Sequence, residues 1–398
     1  MNGDRPRWAQ ISGWGMYVPE RVLTNADLAR VVDTSDEWIV SRTGIRERHI
    51  VSDERETTST MAVRAARRAL RVANLTPSQV DLVIVATTMP DYPFPATACL
   101  VQDALGAVRA GAFDLSAACS GFIYALSVAS SFIRSGAADH VLVIGSETLS
   151  RMADWTDRNT CVLFGDGAGA VVLSASTERS GVLASELGSD GSGGELLIVR
   201  AGGSRAPASY STVSNGEHYL WMNGREVFRF ATTIMPKATE AVLRSAGWQL
   251  ADLDLVIPHQ ANIRIIESSI KRLGLPPERF FVNVERYGNT SAASIPIALC
   301  EAVAQGRVHP GDKLVLVGFG AGLTWAAAAV EWGVSVPARP KPGWRMMTDL
   351  LFGWAGVRSL LRRTTRHVYN WILGPVGKDD WRGRMRQRAD RLRKGSSK

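Results

Sequence analysis

Short apolar runs rich in β-branched residues alternate along the chain with longer stretches that have helical periodicity. The strand-like runs are 81–85, 140–145, 254–257 and 313–318. The helix-like stretches are 61–72, 121–133, 262–273 and 295–304. This alternation predicts an α/β fold in which helices cover the faces of the sheets.

The pattern occurs twice, at one constant displacement along the chain. The strand that starts at Asp81 is repeated at Asp254, and Gly145 after the next strand is repeated at Gly318. Both matches are 173 residues apart, a displacement that we call the repeat offset. They indicate a duplicated α/β unit. Two such halves would bring equivalent loops together at their junction, where ligands of open α/β sheets bind.

The charge of the chain is unevenly distributed. The whole chain of 398 residues has a net charge of +8. Residues 339–398 hold 16 Lys and Arg against four Asp, a net of +12, which leaves −4 for the rest. We therefore expect an N-terminal half at 1–175, a C-terminal half at 176–335 and a basic extension at 336–398, which begins with a proline-rich linker. A nucleic-acid enzyme would more often carry its positive charge across the active-site face, so no nucleic-acid partner is expected.

Several other classes are disfavoured by composition. No apolar run approaches the ~18 residues that span a bilayer, and the N-terminus has no signal-peptide pattern, so we expect a cytoplasmic protein. The four cysteines form no CxxC pair and the six histidines are scattered, so no metal site is expected. The glycine runs at 165–170 and 318–322 are followed by strand-like residues, which argues against a dinucleotide site.

Three residues at strand-to-helix junctions are candidates for chemistry. Cys119 follows a strand-like segment and precedes a helix, whose N-terminus would lower the thiol pKa and favour thiolate. His259 ends a strand and is followed by Gln260, and Asn289 lies in a Gly-Asn turn before another helix. Each also has a structural interpretation: a core cysteine, a buried histidine and a helix cap. The remaining cysteines, Cys99, Cys161 and Cys300, are interpreted as small core residues.

Eight short motifs follow one another between about residue 11 and residue 332. They are 34–39, 42–46, 113–126, 157–160, 164–169, 259–262, 288–291 and 318–325. In these motifs and their order the chain resembles β-ketoacyl-acyl carrier protein synthase III, a condensing enzyme of the thiolase superfamily. The resemblance implies a five-layer α-β-α-β-α sandwich built from two duplicated halves.

The resemblance also implies a decarboxylative Claisen condensation that needs no cofactor. Cys119 would take an acyl group from acyl-CoA. His259 and Asn289 would then stabilise the enolate formed from malonyl-acyl carrier protein, and the product is a 3-oxoacyl-acyl carrier protein. The backbone N–H groups of Cys119 and of the Gly320-Ala321 turn would form a second oxyanion hole.

Further binding residues are assigned by the same resemblance. CoA would be bound by Thr34, Trp38, Arg42, Arg158, Gly224 and Asn262, with Trp38 and Arg158 on either side of the adenine. Acyl carrier protein, which is acidic, would bind the helix face of Arg264, Lys271 and Arg272, which could instead be an ordinary solvated face. Phe94 would cross the interface of a homodimer to close the partner's acyl pocket.

The extension is unexplained by the family. On a helix, eight apolar residues fall within one arc of ~120° and several arginines fall on the other side. The apolar residues are Met347, Leu350, Leu351, Trp354, Val357, Leu361, Val368 and Ile372. This pattern and the basic run 382–394 suggest peripheral contact with the inner face of an anionic membrane. The alternatives are a helix packed on the enzyme, a contact for carrier protein, or a solvated tail.

Two rival functions remain open from sequence. One is an enzyme of specialised metabolism that transfers or condenses another acyl group with the same Cys119. The other is a non-catalytic docking subunit, which the joint presence of Cys119, His259 and Asn289 disfavours.

Overall fold

The structure is a computed structural model of the chain that describes residues 6–334 and 343–372. Its strands in chain order are β1 (Trp8–Tyr17), β2 (Val22–Thr24), β3 (Glu47–His49), β4 (Leu82–Ala86), β5 (Gly111–Leu115), β6 (His140–Thr148), β7 (Asp166–Ser176), β8 (Gly181–Ser189), β9 (Leu197–Val199), β10 (Leu220–Met222), β11 (Leu255–Pro258), β12 (Lys313–Gly320) and β13 (Thr324–Glu331). Its α-helices are α1 (Asn25–Leu28), α2 (Asp36–Thr43), α3 (Thr58–Val72), α4 (Thr97–Leu105), α5 (Gly121–Arg134), α6 (Tyr210–Ser214), α7 (Gly224–Ala246), α8 (Ile263–Leu273), α9 (Val284–Tyr287), α10 (Ser294–Ala304) and α11 (Trp344–Ile372).

Two larger sheets form the framework. The first has the strand order β1-β7-β6-β4-β5, and the second has the order β11-β12-β13-β8. Strands β4, β5 and β6 are parallel to one another, as are β11 and β12, whereas the other pairs are antiparallel. Every residue of β4 and of β11 is buried, which explains why these strands are continuous apolar runs.

Helices separate and cover the two sheets. One core cluster joins the inner faces of both sheets through residues of α5, such as Phe122, and of α10, such as Leu299. A second cluster lies between the first sheet and α3 with α4, and a third lies between the second sheet and α7 with α8. The chain therefore has helix and sheet layers in alternation, with α5 and α10 at the centre.

The repeat offset appears in the strand register. In the first sheet Leu82 pairs with Val141, and in the second sheet Leu255 pairs with Leu314. Helices α5 and α10 begin at Gly121 and Ser294, which are separated by the same offset. The two parallel strand pairs and the central helices are thus equivalent in the two sheets, and their loops meet at the same junction.

The extension contributes α11, which packs against α3 and α4. Phe352 and Ala355 of α11 are buried, and the guanidinium groups of Arg67 and Arg71 lie 4.9 and 5.7 Å from the Phe352 ring centroid. The predicted linker at 336–342 and the basic run 382–394 lie outside the described residues. No helix within 6–334 or 343–372 has the length and apolar content needed to cross a membrane.

Candidate active site

One cavity of about 660 Å³ is bordered by Cys119, His259 and Asn289. Cys119 follows β5, His259 follows β11 directly, and Asn289 lies in the loop between α9 and α10. All three are buried, with 8%, 1% and 8% of their surface exposed. The structure therefore brings the three predicted residues to one cavity at the junction of the two sheets.

The Cys119 loop is held by a short 3-10 turn and by the hairpin of β12 and β13. Ser120 Oγ is within hydrogen-bond distance of Ala117 O, at 2.7 Å, and of Thr324 Oγ1, at 2.8 Å. A Cβ atom on Gly320 would lie only 2.6 Å from Cys119 N, so glycine is required for this approach. The backbone around Cys119 and Gly320 is thus in direct contact beside the thiol.

The turn before Cys119 has the same unusual backbone as the turn after Asn289. Ala118 has φ of 47° and Ser291 has φ of 48°, and the repeat offset relates these two residues as well. For residues other than glycine the left-handed region is strained, and such strain is concentrated at functional sites. The equivalent turns therefore present Cys119 from one half and Asn289 from the other to one cavity.

The thiol of Cys119 is protonated at rest. Burial raises its pKa to about 12, although a hydrogen bond from Ser291 acts in the opposite direction. The expectation that the helix N-terminus would favour thiolate is therefore wrong, because loss of hydration outweighs it. Deprotonation must accompany the reaction of the sulfur.

His259 is a neutral imidazole whose two nitrogens have different surroundings. Its Nδ1 lies 2.6 Å from Ser294 Oγ, whereas its Nε2 is buried without a hydrogen-bond partner among the described residues. Burial lowers the His259 pKa to about 3, so the ring is uncharged near neutral pH. The Phe319 ring packs edge-on against it, with the ring centroids 5.4 Å apart. A buried polar atom without a partner at a cavity wall is suited to bind a ligand atom.

The amide of Asn289 is oriented by its own loop. Its Oδ1 accepts a hydrogen bond from Ser291 N at 2.9 Å, and its backbone N donates to Leu163 O at 2.8 Å. Because Oδ1 is already used, the side-chain NH2 group is the one left to serve as a donor. Like His259, Asn289 therefore offers a neutral donor.

A buried carboxyl that sequence reasoning missed lies in the same region. Glu147 on β6 is fully buried, and its carboxyl accepts hydrogen bonds from Thr87 Oγ1 at 3.0 Å and from Thr88 N at 3.1 Å. Burial raises the Glu147 pKa to about 7, and its charge raises the pKa of Cys119. The signal in the sequence was one acidic residue close behind the apolar run 141–144 of β6.

The remainder of the cavity wall is mainly apolar. Its apolar residues beside Cys119 are Met89, Leu149, Met152, Leu163, Phe164, Val199 and Leu220. Gln260, the residue after His259, donates through Nε2 to Pro258 O and Phe281 O within the protein. It is a structural residue of the turn.

A second cavity of about 680 Å³ adjoins the first and is bordered by basic and aromatic residues. Trp38, Arg42, Gly224 and Asn262 of the predicted CoA set line it. Asn262 also caps α8 through Arg264 N and donates to Arg42 O at 3.0 Å. The further lining residues that were not foreseen from sequence include Trp221, Arg225 and Phe228.

Two predicted CoA residues lie differently from the expectation. The Arg158 guanidinium carbon is 5.3 Å from the Trp38 ring centroid, so the two groups already contact each other. An adenine between them needs about 7 Å, two stacking distances, so Arg158 has to move to admit it. Thr34 is not among the residues that line either cavity, and its Oγ1 is buried without a partner in the described part of the chain.

The remaining predicted residues lie on the surface. Phe94 is 86% exposed, and Arg264, Lys271 and Arg272 are exposed on α8, where Glu267 is exposed as well. Cys161 and Cys300 are buried as expected. Cys99 is exposed on α4, so its assignment to the core is wrong. Among the described residues no group of His, Cys, Asp and Glu could hold a metal ion.

Two family models match the chain in the parts that form the cavity. The model described as 3-oxoacyl-[acyl-carrier-protein (ACP)] synthase III matches residues 113–191, which include Cys119. The model described as its C terminal matches residues 243–332, which include His259 and Asn289.

Similar proteins are covered over nearly their whole length. The β-ketoacyl-[acyl-carrier-protein] synthase III of Symbiobacterium thermophilum is 59% identical over 323 residues, 81% of this chain and 98% of the relative. The crystal structure of 3-oxoacyl-[acyl-carrier-protein] synthase III from Aquifex aeolicus is 51% identical, with a TM-score of 0.75 over 81% of this chain and 99% of that one. The priming β-ketosynthase of the R1128 polyketide pathway is 38% identical, with a TM-score of 0.77 over 85% and 99%.

Proposed function

The chain belongs to the β-ketoacyl-[acyl-carrier-protein] synthase III family, and from that premise we propose how its residues divide the condensation of an acyl-CoA primer with malonyl-acyl carrier protein. One group, Cys119, carries the acyl chain between two half-reactions. Two neutral donors, His259 and Asn289, serve the second half-reaction. The product is a 3-oxoacyl-acyl carrier protein.

In the first half-reaction the Cys119 sulfur attacks the acyl-CoA thioester carbonyl. The new C–S bond forms as the bond to the CoA sulfur breaks, and the thiol proton leaves with CoA as its free thiol. The carbonyl oxygen gains negative charge at the backbone N–H groups of Cys119 and of the Gly320-Ala321 turn. Their close packing beside the thiol supports this role.

In the second half-reaction malonyl-acyl carrier protein loses CO2. The carbanion attacks the acyl carbonyl on Cys119 and forms the new C–C bond as the bond to the Cys119 sulfur breaks, which releases the product. The Cys119 thiolate then takes one proton from water. The enolate oxygen accepts hydrogen bonds from His259 Nε2 and Asn289 Nδ2. Neutral donors suit this step, because a carboxylate in their place would repel the negative charge that develops on the enolate oxygen.

The observation that carries this proposal is the Nε2 atom of His259, which is buried without a partner in the described part of the chain. When the Ser294 hydroxyl donates a hydrogen bond to Nδ1, the ring proton is on Nε2. His259 also borders the cavity. Leaving such a group unsatisfied costs stability unless a ligand binds it. A thioester oxygen that becomes an enolate is a suitable acceptor.

CoA would approach through the second cavity, which is bordered by Trp38, Arg42 and Arg225 and which we call the basic mouth. Trp38, Arg42 and Arg158 would bind the nucleotide end, with Gly224 and Asn262 near the pantetheine arm. Thr34 lines neither cavity and would reach CoA only after a local rearrangement. The exposed Arg264, Lys271 and Arg272 on α8 provide positive charge for acidic carrier protein, partly offset by Glu267.

We also propose the remaining features of the assembly. Strand β5 is an outer strand of its sheet, and Phe94 is exposed, which supports a homodimer in which Phe94 closes the partner's acyl pocket. Two duplicated halves divide near residue 175. The enzyme acts in the cytoplasm, with 339–398 in peripheral contact with a membrane.

The similarity to a priming β-ketosynthase favours one alternative, a role in specialised metabolism with another primer. The condensation proposed above and this alternative both use the acyl-Cys119 intermediate. They differ in the primer that acylates Cys119. A panel of acetyl-, isobutyryl- and longer acyl-CoA donors distinguishes them by the rate of acylation.

The proposal is tested by intact-protein mass spectrometry after incubation with each acyl-CoA. The wild-type chain and Cys99→Ser should gain one acyl group, and Cys119→Ala should gain none. Cys99→Ser is the control for non-specific transfer to the exposed thiol. If no donor adds mass at Cys119, the proposed function is wrong.

A further inference from the structure

Helix α11 is attached to the enzyme by one face. Phe352 is 3% exposed between the guanidinium groups of Arg67 and Arg71 of α3, and Thr348 is fully buried. Asp349 forms an ion pair with Arg71, and Ser359 donates to a carboxylate of α4. The attached face thus has one aromatic residue and several polar or small ones.

The opposite face of α11 is apolar and exposed. Its large apolar side chains include, with their exposed fractions, Met347 40%, Leu350 60%, Leu351 39%, Trp354 68%, Val357 49%, Leu361 58% and Val368 51%. These residues, which we call the outer arc, are those for which a helical wheel predicts one apolar side; the side chain of Ile372, predicted with them, lies outside the described part. A single amphipathic helix on a protein surface usually turns that side inwards. Here the arrangement is reversed.

Arg358, whose position falls within the outer arc, is turned towards the enzyme. A Cβ atom built on Gly106 would lie 3.2 Å from Arg358 Nη2, so the guanidinium is beside the residue that caps the C-terminal end of α4. The negative end of the α4 dipole favours a cation there. The Arg358 guanidinium therefore does not interrupt the exposed apolar residues of the outer arc.

The composition around the arc is strongly basic. The sequence 344–372 holds five Arg and one Asp, and 373–398 holds nine Lys and Arg against three Asp. A long apolar strip with basic residues on the same segment is the composition of helices that lie in the interface of an anionic bilayer.

We propose that the outer arc binds the surface of an anionic lipid bilayer while the Phe352 face keeps the enzyme attached to the helix. The inference rests on the proposed membrane contact of 339–398 and deepens it by naming the residues that enter the lipid. It is independent of the chemistry at Cys119.

Charge favours lipid over a second copy of the chain as the occupant. Two copies joined through the outer arc would bring two basic helices and two basic segments together, which like-charge repulsion opposes. Anionic headgroups provide the opposite charge. The mouth for CoA is lined by residues of α2, α7 and α8 among others, and the described residues of α11 contribute nothing to it, so binding through α11 leaves substrate access open.

The test is cosedimentation of the full-length chain with vesicles. One set contains equal parts phosphatidylglycerol and phosphatidylcholine, and the other contains phosphatidylcholine alone. We expect binding to the anionic vesicles, weaker binding to the neutral ones, and loss of binding as salt is raised.

Point variants identify the contact. Leu361→Glu and Leu350→Glu should each lower binding to anionic vesicles at least about tenfold. Val213→Glu, at an apolar position of α6 that is 64% exposed, is the matched control and should bind like wild type. Equal thermal midpoints establish that the variants are folded, and Trp354→Gln tests the arc without adding charge.

Three results would overturn the proposal. These are no binding of wild type to anionic vesicles, undiminished binding of the arc variants, and lipid-independent doubling of the mass in solution that Leu361→Glu abolishes. Acylation of Cys119 measured on the same samples without vesicles separates failure of this inference from failure of the enzyme proposal.

Discussion

The Nδ1 atom of His259 lies 2.6 Å from the hydroxyl oxygen of Ser294, the first residue of α10. This contact joins the loop of the second sheet to a central helix, and in the proposed assignment the Ser294 hydroxyl donates to Nδ1, so that the ring proton is on Nε2. Ser294 is thus a positioning residue for the proposed donor, His259 Nε2.

Replacement of Ser294 should affect only the second half-reaction. In Ser294→Ala the Nε2 proton is no longer specified, and we expect condensation to slow at least about tenfold, or ~1.4 kcal/mol, with acylation of Cys119 nearly unchanged. Single-turnover acylation and condensation rates are the measurements. Ser294→Thr retains the hydroxyl and should recover much of the rate. Equal loss of both rates in Ser294→Ala would indicate a structural role instead.

The pH dependence of acylation follows from the protonated Cys119. With a thiol pKa of about 12, the thiolate fraction and the acylation rate should rise about tenfold per pH unit well below that pKa, wherever the charge of Glu147 is constant. No acid limb from His259 is expected, because its pKa is about 3. Mass spectrometry of samples quenched at successive times measures the acylation rate at each pH. A rate that is already flat with pH would mean a thiolate at rest.

Glu147 should reduce that slope around neutral pH. Its pKa is about 7, and its ionisation raises the pKa of Cys119, so acylation should rise by less than about tenfold per pH unit across the range in which Glu147 titrates. Glu147→Gln removes the charge and should restore the steeper slope. Identical profiles for wild type and Glu147→Gln would contradict this electrostatic role.

The contact between Gly320 and the Cys119 loop predicts a severe local defect. In Gly320→Ala the new methyl would lie 2.6 Å from Cys119 N and 2.9 Å from Ala118 Cβ, so the nucleophile must shift. We expect acylation to fall by about 100-fold, as for loss of an oxyanion donor. Gly318→Ala, where the nearest atom is Ile295 Cδ1 at 3.2 Å, is the matched control and should lose less. An active Gly320→Ala would refute the assigned geometry.

The basic mouth should recognise the nucleotide end of CoA. We expect Trp38→Ala and Arg158→Ala to raise KM for acyl-CoA about tenfold and to change kcat little, because they act far from the sulfur. With an acyl thioester that lacks the nucleotide, both variants should match wild type. A loss with the short thioester as well would place their effect on folding rather than on CoA.

The regular elements were predictable because buried strands and helices have distinct periods. The four predicted strands are β4, β6, β11 and β12, and the repeat offset reappears as the equivalent pairs of Leu82 with Val141 and Leu255 with Leu314. The short turns with φ near 48° at Ala118 and Ser291 were beyond such patterns, because neither residue type signals this conformation.

The wrong predictions concern properties that depend on the three-dimensional surroundings of a residue. The pKa of Cys119 depends on burial that the local sequence does not reveal, and the exposure of Cys99 depends on which side of α4 meets the sheet. For α11 the pattern identified two faces. Which one attaches is determined by the body: Arg67 and Arg71 of α3 offer cations to Phe352, and within the described ranges no apolar site on the body covers the outer arc.

The central claim is that one cavity separates acyl transfer to Cys119 from enolate stabilisation by His259 and Asn289. Asn289→Asp tests it most directly, because the carboxylate retains the size of the amide but loses its donor and opposes the enolate charge. Acylation by acyl-CoA and condensation with malonyl-acyl carrier protein are measured on the same sample by mass spectrometry. We predict acylation within about threefold of wild type and condensation reduced at least about 100-fold. Equal loss of both steps, or undiminished condensation, would contradict the account.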